Sequence, residues 1–178
     1  MICISSGHGR WVRGASGYLD EVHEARKVVE HVAECLRQRG VDVMTFHDDT
    51  SSSQDQNLKT IVDWHNSQVR DLDVSVHFNA YQTTEAPMGT EVFYLTQADL
   101  AARVCNAIAD LGFIFRGPKL RDDLYFLNNT DEPAILIEVC FVDSLADSRL
   151  YQATFGLVCL AIAQALEPSS KRTMPLNS

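Results

Sequence analysis

Apolar residues along this chain switch repeatedly between two spacings, and that alternation constrains the fold more than any other feature. Short apolar or alternating runs occur at 2–5 (ICIS), 41–46 (VDVMTF), 74–78 (VSVHF), 89–95 (GTEVFYL), 125–127 and 134–139 (AILIEV). Between them, at 20–39, 58–69, 98–111 and 148–166, apolar residues recur every three or four positions. In the first of these stretches Val22, Ala25, Val29, Val32 and Leu36 share one face. Gly40 is placed to cap its C-terminus, and Arg37 and Arg39 complement the negative end of the helix. A period of two makes strands and one near 3.6 makes helices. The alternation therefore predicts an α/β single-domain three-layer sandwich, with a mostly parallel twisted sheet of about six strands and helices on both faces. The 178 residues suit one domain over 1–167, followed by a polar tail or linker stub at 168–178 (PSSKRTMPLNS).

Charge narrows the class of partner. Against 15 Lys and Arg stand 24 Asp and Glu, a net charge of -9 with no basic stripe, so a nucleic-acid partner is not expected. No apolar run approaches the ~20 residues of a membrane span. The best candidate, 155–166, is interrupted by Gln164 and reads as a packed terminal helix, so no membrane insertion is expected. Cys3, Cys35, Cys105, Cys140 and Cys159 are scattered, odd in number and in apolar settings, as for small buried hydrophobes in a reducing compartment. The opening Met-Ile-Cys-Ile lacks a charged leader, which predicts cytoplasmic accumulation.

In open α/β sheets, sites gather at the carboxyl ends of strands. Three runs here end in a residue that can bind a metal or move a proton: His8 in SGHG, His77 in SVHFNA and Glu138 in ILIEVCF. Two imidazoles at neighbouring strand ends can meet at one ion. Glu138 is costly to bury without a partner, which marks it as a functional carboxylate. Glu21 and Glu24 open the first helix, where acids suit the positive end of its dipole. Either one completes a two-histidine, one-carboxylate zinc site with an open position.

Several partial motifs carry nothing. His23-Glu24-Ala25-Arg26-Lys27 begins like HExxH but has Lys27 in place of the second histidine. The stretch 9–16 (GRWVRGAS) mimics a phosphate loop but has Ala15 where the lysine belongs. Val12 stands at the third glycine position of a GxGxxG pattern. His31 and Cys35, one helical turn apart, make an incomplete site, and Cys140 has no evident activating base.

Taken together, SSGHG at 5–9, GASGYLDE at 14–21, SVHFNA at 75–80, MGTEVFYL at 88–95 and PAILIEVCFVDS at 133–144 resemble a known family. It is the third class of zinc-dependent N-acetylmuramoyl-L-alanine amidases, found in phage endolysins and bacterial autolysins. The resemblance spans the chain, and it implies a zinc amidase catalytic domain over 1–167 holding one Zn2+. It implies His8, Glu21 and His77 as metal ligands and Glu138 as the catalytic acid–base, with Glu24 the runner-up for the helix ligand. The implied substrate is peptidoglycan, cut between N-acetylmuramic acid and L-alanine. Such an enzyme would build up in the cytoplasm and act on the wall after release. A zinc peptidase acting on stem or other peptides is the alternative, and a binding module with a structural metal a third reading. Loops 10–20 and 79–88 are expected to wall the groove, with Asn79 a polar contact. Thr45-Phe46-His47 and Asn128 depart from the family, which often carries arginine at these two places.

Overall fold

A computed structural model describes residues 1–168, so all of the expected tail except Pro168 lies outside the described residues. Eleven elements follow one another: β1 (Ile2–Gly9), α1 (Glu21–Gln38), β2 (Val43–Asp48), α2 (Gln54–Asn66), β3 (Leu72–Asn79), β4 (Thr90–Tyr94), α3 (Ala98–Ala109), β5 (Phe115–Leu120), α4 (Tyr125–Asn129), β6 (Ala134–Phe141) and α5 (Leu145–Leu166). The strands form one six-stranded sheet in the order β2-β1-β3-β6-β4-β5. Pairing is parallel throughout except between β6 and β4.

The expected three layers are present. The larger core lies between the sheet and α1, α3 and α5, and includes Val28, Val32, Val104, Ile108, Cys159 and Ile162. The smaller lies on the other face, where Ile61 and Val62 of α2 meet Phe126 and Leu127 of α4. Helix α5, 22 residues long, is apolar enough by length and composition to cross a membrane. In this fold its buried residues, among them Tyr151, Val158 and Ile162, join the larger core.

Two strand expectations change. Residues 125–127 open the short helix α4, and the fifth strand lies earlier, at Phe115–Leu120. That segment, FRGPKL, holds a glycine, a proline and two cations, a composition poor in strand signal but tolerated on an edge strand. The second helix begins at Gln54, because the Ser53 side chain accepts a hydrogen bond from the Gln56 N–H and starts it four residues earlier than its apolar spacing does. Helix α1 keeps its expected ends: Asp20 caps the N-terminus by accepting from the His23 N–H, and Gly40 takes a φ of 72° past the C-terminus.

Side chains alternate across a strand, so core membership fixes which residues face which layer. Val74, Val76 and Phe78 of β3, Val92 of β4, and Ile135, Ile137 and Val139 of β6 belong to the larger core. Phe93, Ala134 and Leu136 belong to the smaller. His77, Glu91 and Glu138 therefore stand on the α2–α4 face. Register sets them side by side, with His77 paired to Glu138 and Glu138 paired to Glu91.

Candidate metal centre and catalytic carboxylate

The site begins where β1 leaves the sheet. His8 adopts a φ of 59°, a left-handed conformation uncommon outside glycine and costing of order 1–3 kcal/mol. The strained backbone directs the imidazole toward the start of α1. Two close approaches require glycine: a β-carbon on Gly7 would overlap the His77 ring, and one on Gly14 would overlap the Glu21 carboxylate and the His8 ring.

Glu21, the first residue of α1, is buried between the two histidines. Its Oε1 accepts from the Phe78 N–H at 3.1 Å and lies 3.1 Å from His77 Nδ1. Its Oε2 accepts from the Ala15 N–H at 2.7 Å and lies 3.3 Å from His8 Nε2. Burial pushes the Glu21 carboxyl upward, but hydrogen bonds and charge from His77 and His8 outweigh it, so the group is held far below the usual carboxylate range. The two imidazole centroids are 5.1 Å apart. One donor atom each from His8, Glu21 and His77 lies within 4.8 Å of the others. Two imidazoles and a carboxylate at this separation fit a divalent ion with an open coordination position.

Glu24 stands outside this group. Its carboxylate accepts from Tyr151 Oη at 2.9 Å and Lys27 Nζ at 2.7 Å, one turn further along α1 and facing α5. His31, for its part, packs edge-on against Phe155.

Glu138 occupies the strand position next to His77, with its Oε2 buried and without a hydrogen-bond partner. Burial raises its pKa well above the ordinary carboxylate range, the charges of Glu21 and Glu91 raise it further, and Arg121 opposes them. Glu91, on its other side, is held by Asn79 Nδ2 at 2.6 Å, Arg116 Nε at 2.9 Å and a short contact from Lys119 Nζ. Burial raises the Glu91 pKa, but Lys119 and Arg116 bring it below the usual range. Glu91 escaped the sequence reading because GTEVFYL alternates like any half-buried strand; its pairing with Glu138 appears only in the sheet. The Asn79 amide donates to Glu91 and accepts from the Ala80 N–H.

Loops 10–20 and 79–88 flank this group and carry the exposed aromatics Trp11, Tyr18 and Tyr81. His47 is fixed between Ser6 Oγ at 2.8 Å and Glu30 at 3.0 Å. Asn128 holds the turn before α4 by donating to the carbonyls of Asp122 and Leu124.

A second cluster is deceptive. His65 Nε2 lies 2.9 Å from Ser5 Oγ and Nδ1 lies 2.7 Å from Asp73, in the order of a hydrolase triad. All three residues are fully buried and Arg70 neutralises Asp73, so the row is a sealed strut between α2 and the sheet. His65 and Asp73, with Cys3, could also gather round a metal, but all three are fully buried among the described residues.

With this geometry in hand, comparison with known proteins is decisive. Residues 2–167 match the sequence profile of the family described as N-acetylmuramoyl-L-alanine amidase. The chain belongs to that family. Among solved structures it is similar to the catalytic domain of an endolysin targeting Clostridia Difficile, with 26% identity, a TM-score of 0.83, and 93% of this chain and 95% of that chain covered. N-acetylmuramoyl-L-alanine amidases of Clostridium difficile 630 and Nostoc punctiforme are each 25% identical, with TM-scores of 0.78 and 0.77. Each comparison covers 93% of this chain, and 93% and 94% of the respective partners. An uncharacterized 38.4 kDa protein of Clostridium perfringens is 34% identical over 159 residues, covering 85% of this chain and 46% of the relative. The chain thus spans about half the length of the curated relatives it matches.

Proposed function

We propose that this amidase-family chain is a peptidoglycan hydrolase of the endolysin type, cutting the amide between the lactyl group of N-acetylmuramic acid and L-alanine. His8, Glu21 and His77 hold one zinc ion, and Glu138 is the general base. The observation that carries this reading is the unpartnered Glu138 oxygen, one strand position from His77 and beside a donor set suited to zinc.

When bound, zinc supplies Lewis-acid polarisation of a carbonyl and lowers the pKa of water toward ~7. Glu138, kept basic by burial and by the negative charges around it, accepts the proton of the attacking water. It then returns that proton to the departing amine nitrogen of L-alanine. The Glu21 carboxylate is itself fixed between the two imidazoles by accepting from the Ala15 and Phe78 N–H groups. Asn79, Arg116 and Lys119 hold Glu91 ionised next to Glu138.

Digestion of purified peptidoglycan, followed by mass spectrometry of the fragments, tests the reading. The expected product pair is intact muramic acid with a free lactyl carboxyl and a stem peptide with a free alanine amine, formed only without chelator. Fragments cut within the stem peptide would establish the peptidase alternative instead. Glu138→Gln should keep about one zinc per chain and lose about 100-fold or more in turnover.

A further inference from the structure

A pocket of about 200 Å³ lies beyond the carboxyl ends of β1 and β2, at the margin of the sheet that β2 forms. It is lined by Arg10, Arg13, Val22, His23, Arg26 and Asp49. Three guanidinium groups thus share one pocket in a chain with 15 Lys and Arg in all and a net charge of -9. Arg10 and Arg13 belong to the stretch 9–16, which lacks the lysine of a phosphate loop. Here the positive charge comes from guanidinium groups instead.

The three arginines are anchored. The Arg10 N–H donates to the Asp48 carbonyl at 2.9 Å, and its guanidinium lies 5.0 Å from the centre of the Trp11 ring. Trp11 Nε1 in turn donates to the Asp49 carbonyl at 3.1 Å, which ties the loop to the end of β2. Arg26 Nη2 donates to the Asp48 carbonyl at 3.0 Å, and Nη1 lies 2.8 Å from Asp49 Oδ1. Arg13 pairs with Asp20. Two carboxylates therefore answer two of the three cations. Left over are the charge of Arg10, which meets no carboxylate among the described residues, and Arg26 Nε, a buried donor without a partner. A buried donor is costly to leave unmade, so this corner of the molecule is short of an acceptor. Val22 and His23 bring the first turn of α1, the positive end of its dipole, to the same wall.

We propose that this pocket binds a phosphate group, with Arg10 and Arg26 as its main donors and Arg13 beside them. The inference concerns a second site and stands apart from the amidase reading. A carboxylate is planar and is satisfied by a single guanidinium fork. Phosphate presents oxygens in several directions, which suits cations delivered from a loop and a helix. Asp49, the one acid in the lining, is already held by Arg26. Two sources offer this chemistry: a phosphodiester-linked polymer and free inorganic phosphate.

The test titrates the zinc-loaded, nitrogen-15-labelled chain with inorganic phosphate and, separately, with a phosphodiester-linked glycerol phosphate trimer. Arginine Nε–H and histidine ring resonances are followed by NMR. The Arg10 and Arg26 Nε–H signals should move together and saturate, and the probe that saturates them at lower concentration identifies the source. Arg10→Gln should weaken binding by about tenfold or more, and Arg10→Lys, which keeps the charge but not the fork, by less. Circular dichroism establishes that both variants are folded. A triglutamate peptide should leave the arginine signals in place. Movement of the His8 and His77 signals alone would put the anion at the metal-binding group and overturn the proposal. An equal response to triglutamate, unchanged affinity in Arg10→Gln, or no movement at all would overturn it too. Binding is read without turnover, so failure here is distinct from failure of the amidase reading.

Discussion

Gly14→Ala tests whether the metal-binding group depends on a backbone approach that no other residue permits. The added β-carbon meets Glu21 Cδ at 2.7 Å and His8 Cδ2 at 2.5 Å, where carbon atoms need about 3.5 Å or more. Relief therefore requires the carboxylate, the ring or the loop to move by roughly 1 Å, twice the ~0.5 Å tolerance of a functional constellation. Overpacking of this kind costs about 1–3 kcal/mol, and the half-buried loop around Gly14 favours the lower end. In a domain of this size each kcal/mol lowers Tm by about 2–4 °C, so the variant stays folded. The larger effect falls on the metal, because disturbing the groups that orient metal ligands weakens affinity by about 10–100-fold. Competition against a calibrated chelator reads that affinity, and a circular dichroism melt reads the fold. Gly156→Ala is the control: nothing lies within 4 Å of its added carbon, and it sits inside α5. It should raise stability by about 0.5–1 kcal/mol and leave zinc binding alone. Wild-type zinc affinity in Gly14→Ala would refute the argument from close approach.

Three further outcomes follow from the same geometry. Glu21→Gln should release zinc, whereas Glu24→Gln should retain it and lose only about 1 kcal/mol of stability through its contacts with Tyr151 and Lys27; zinc content and urea melts separate the two. The proposed Glu138 base works only when deprotonated, so kcat/KM should fall as pH drops through its raised pKa. Glu91→Gln removes a negative neighbour and frees the charges of Arg116 and Lys119, so this acid limb should move to lower pH; an unmoved or rising limb sinks the assignment. Burial holds the His65 pKa below 6.5, with Asp73 opposing, so the unfolded chain takes up that proton first. Stability should therefore decline as pH falls below about 6.5, with a slope of at most about 1.4 kcal/mol per unit for one proton, and His65→Gln should flatten part of that decline in urea melts at pH 7.5, 6 and 5.

Period-two runs and amphipathic stretches made the sheet, its helices and its layers legible, because burial on a strand or helix face writes itself into the spacing of Val, Ile and Leu. The edge strand Phe115–Leu120 was hidden for the converse reason: an edge needs little apolar surface and tolerates Pro118 and Lys119. His8, His77 and Glu138 stood out because each interrupts or ends an apolar run. The choice between Glu21 and Glu24 did not follow from spacing, since both suit the first turn of α1. The family resemblance put Glu21 first, and the side-chain directions agree with that order, with Glu21 turned to the histidines and Glu24 to Tyr151. The Ser5–His65–Asp73 row was invisible because its members lie 60 and 8 positions apart and meet only once β1, α2 and β3 are packed.

The seam between parallel and antiparallel pairing runs along β6, and Glu138 sits on it. His8, Glu21 and His77 come from β1, α1 and β3 on one bank, and the Glu21 charge reaches Glu138 from there; Glu91, Arg116 and Lys119 act from β4 and β5 on the other, with Asn79 bridging the two. The charge around Glu138 is thus set from both banks, and Glu21 is common to it and to the histidine group. Residues 115–121, at the exposed margin of the sheet, are where substitutions are expected to change the charge beside Glu138 without touching His8, Glu21 or His77. A sheet built this way can change the proton affinity of its central carboxylate from the edge strand and leave the histidine group as it is.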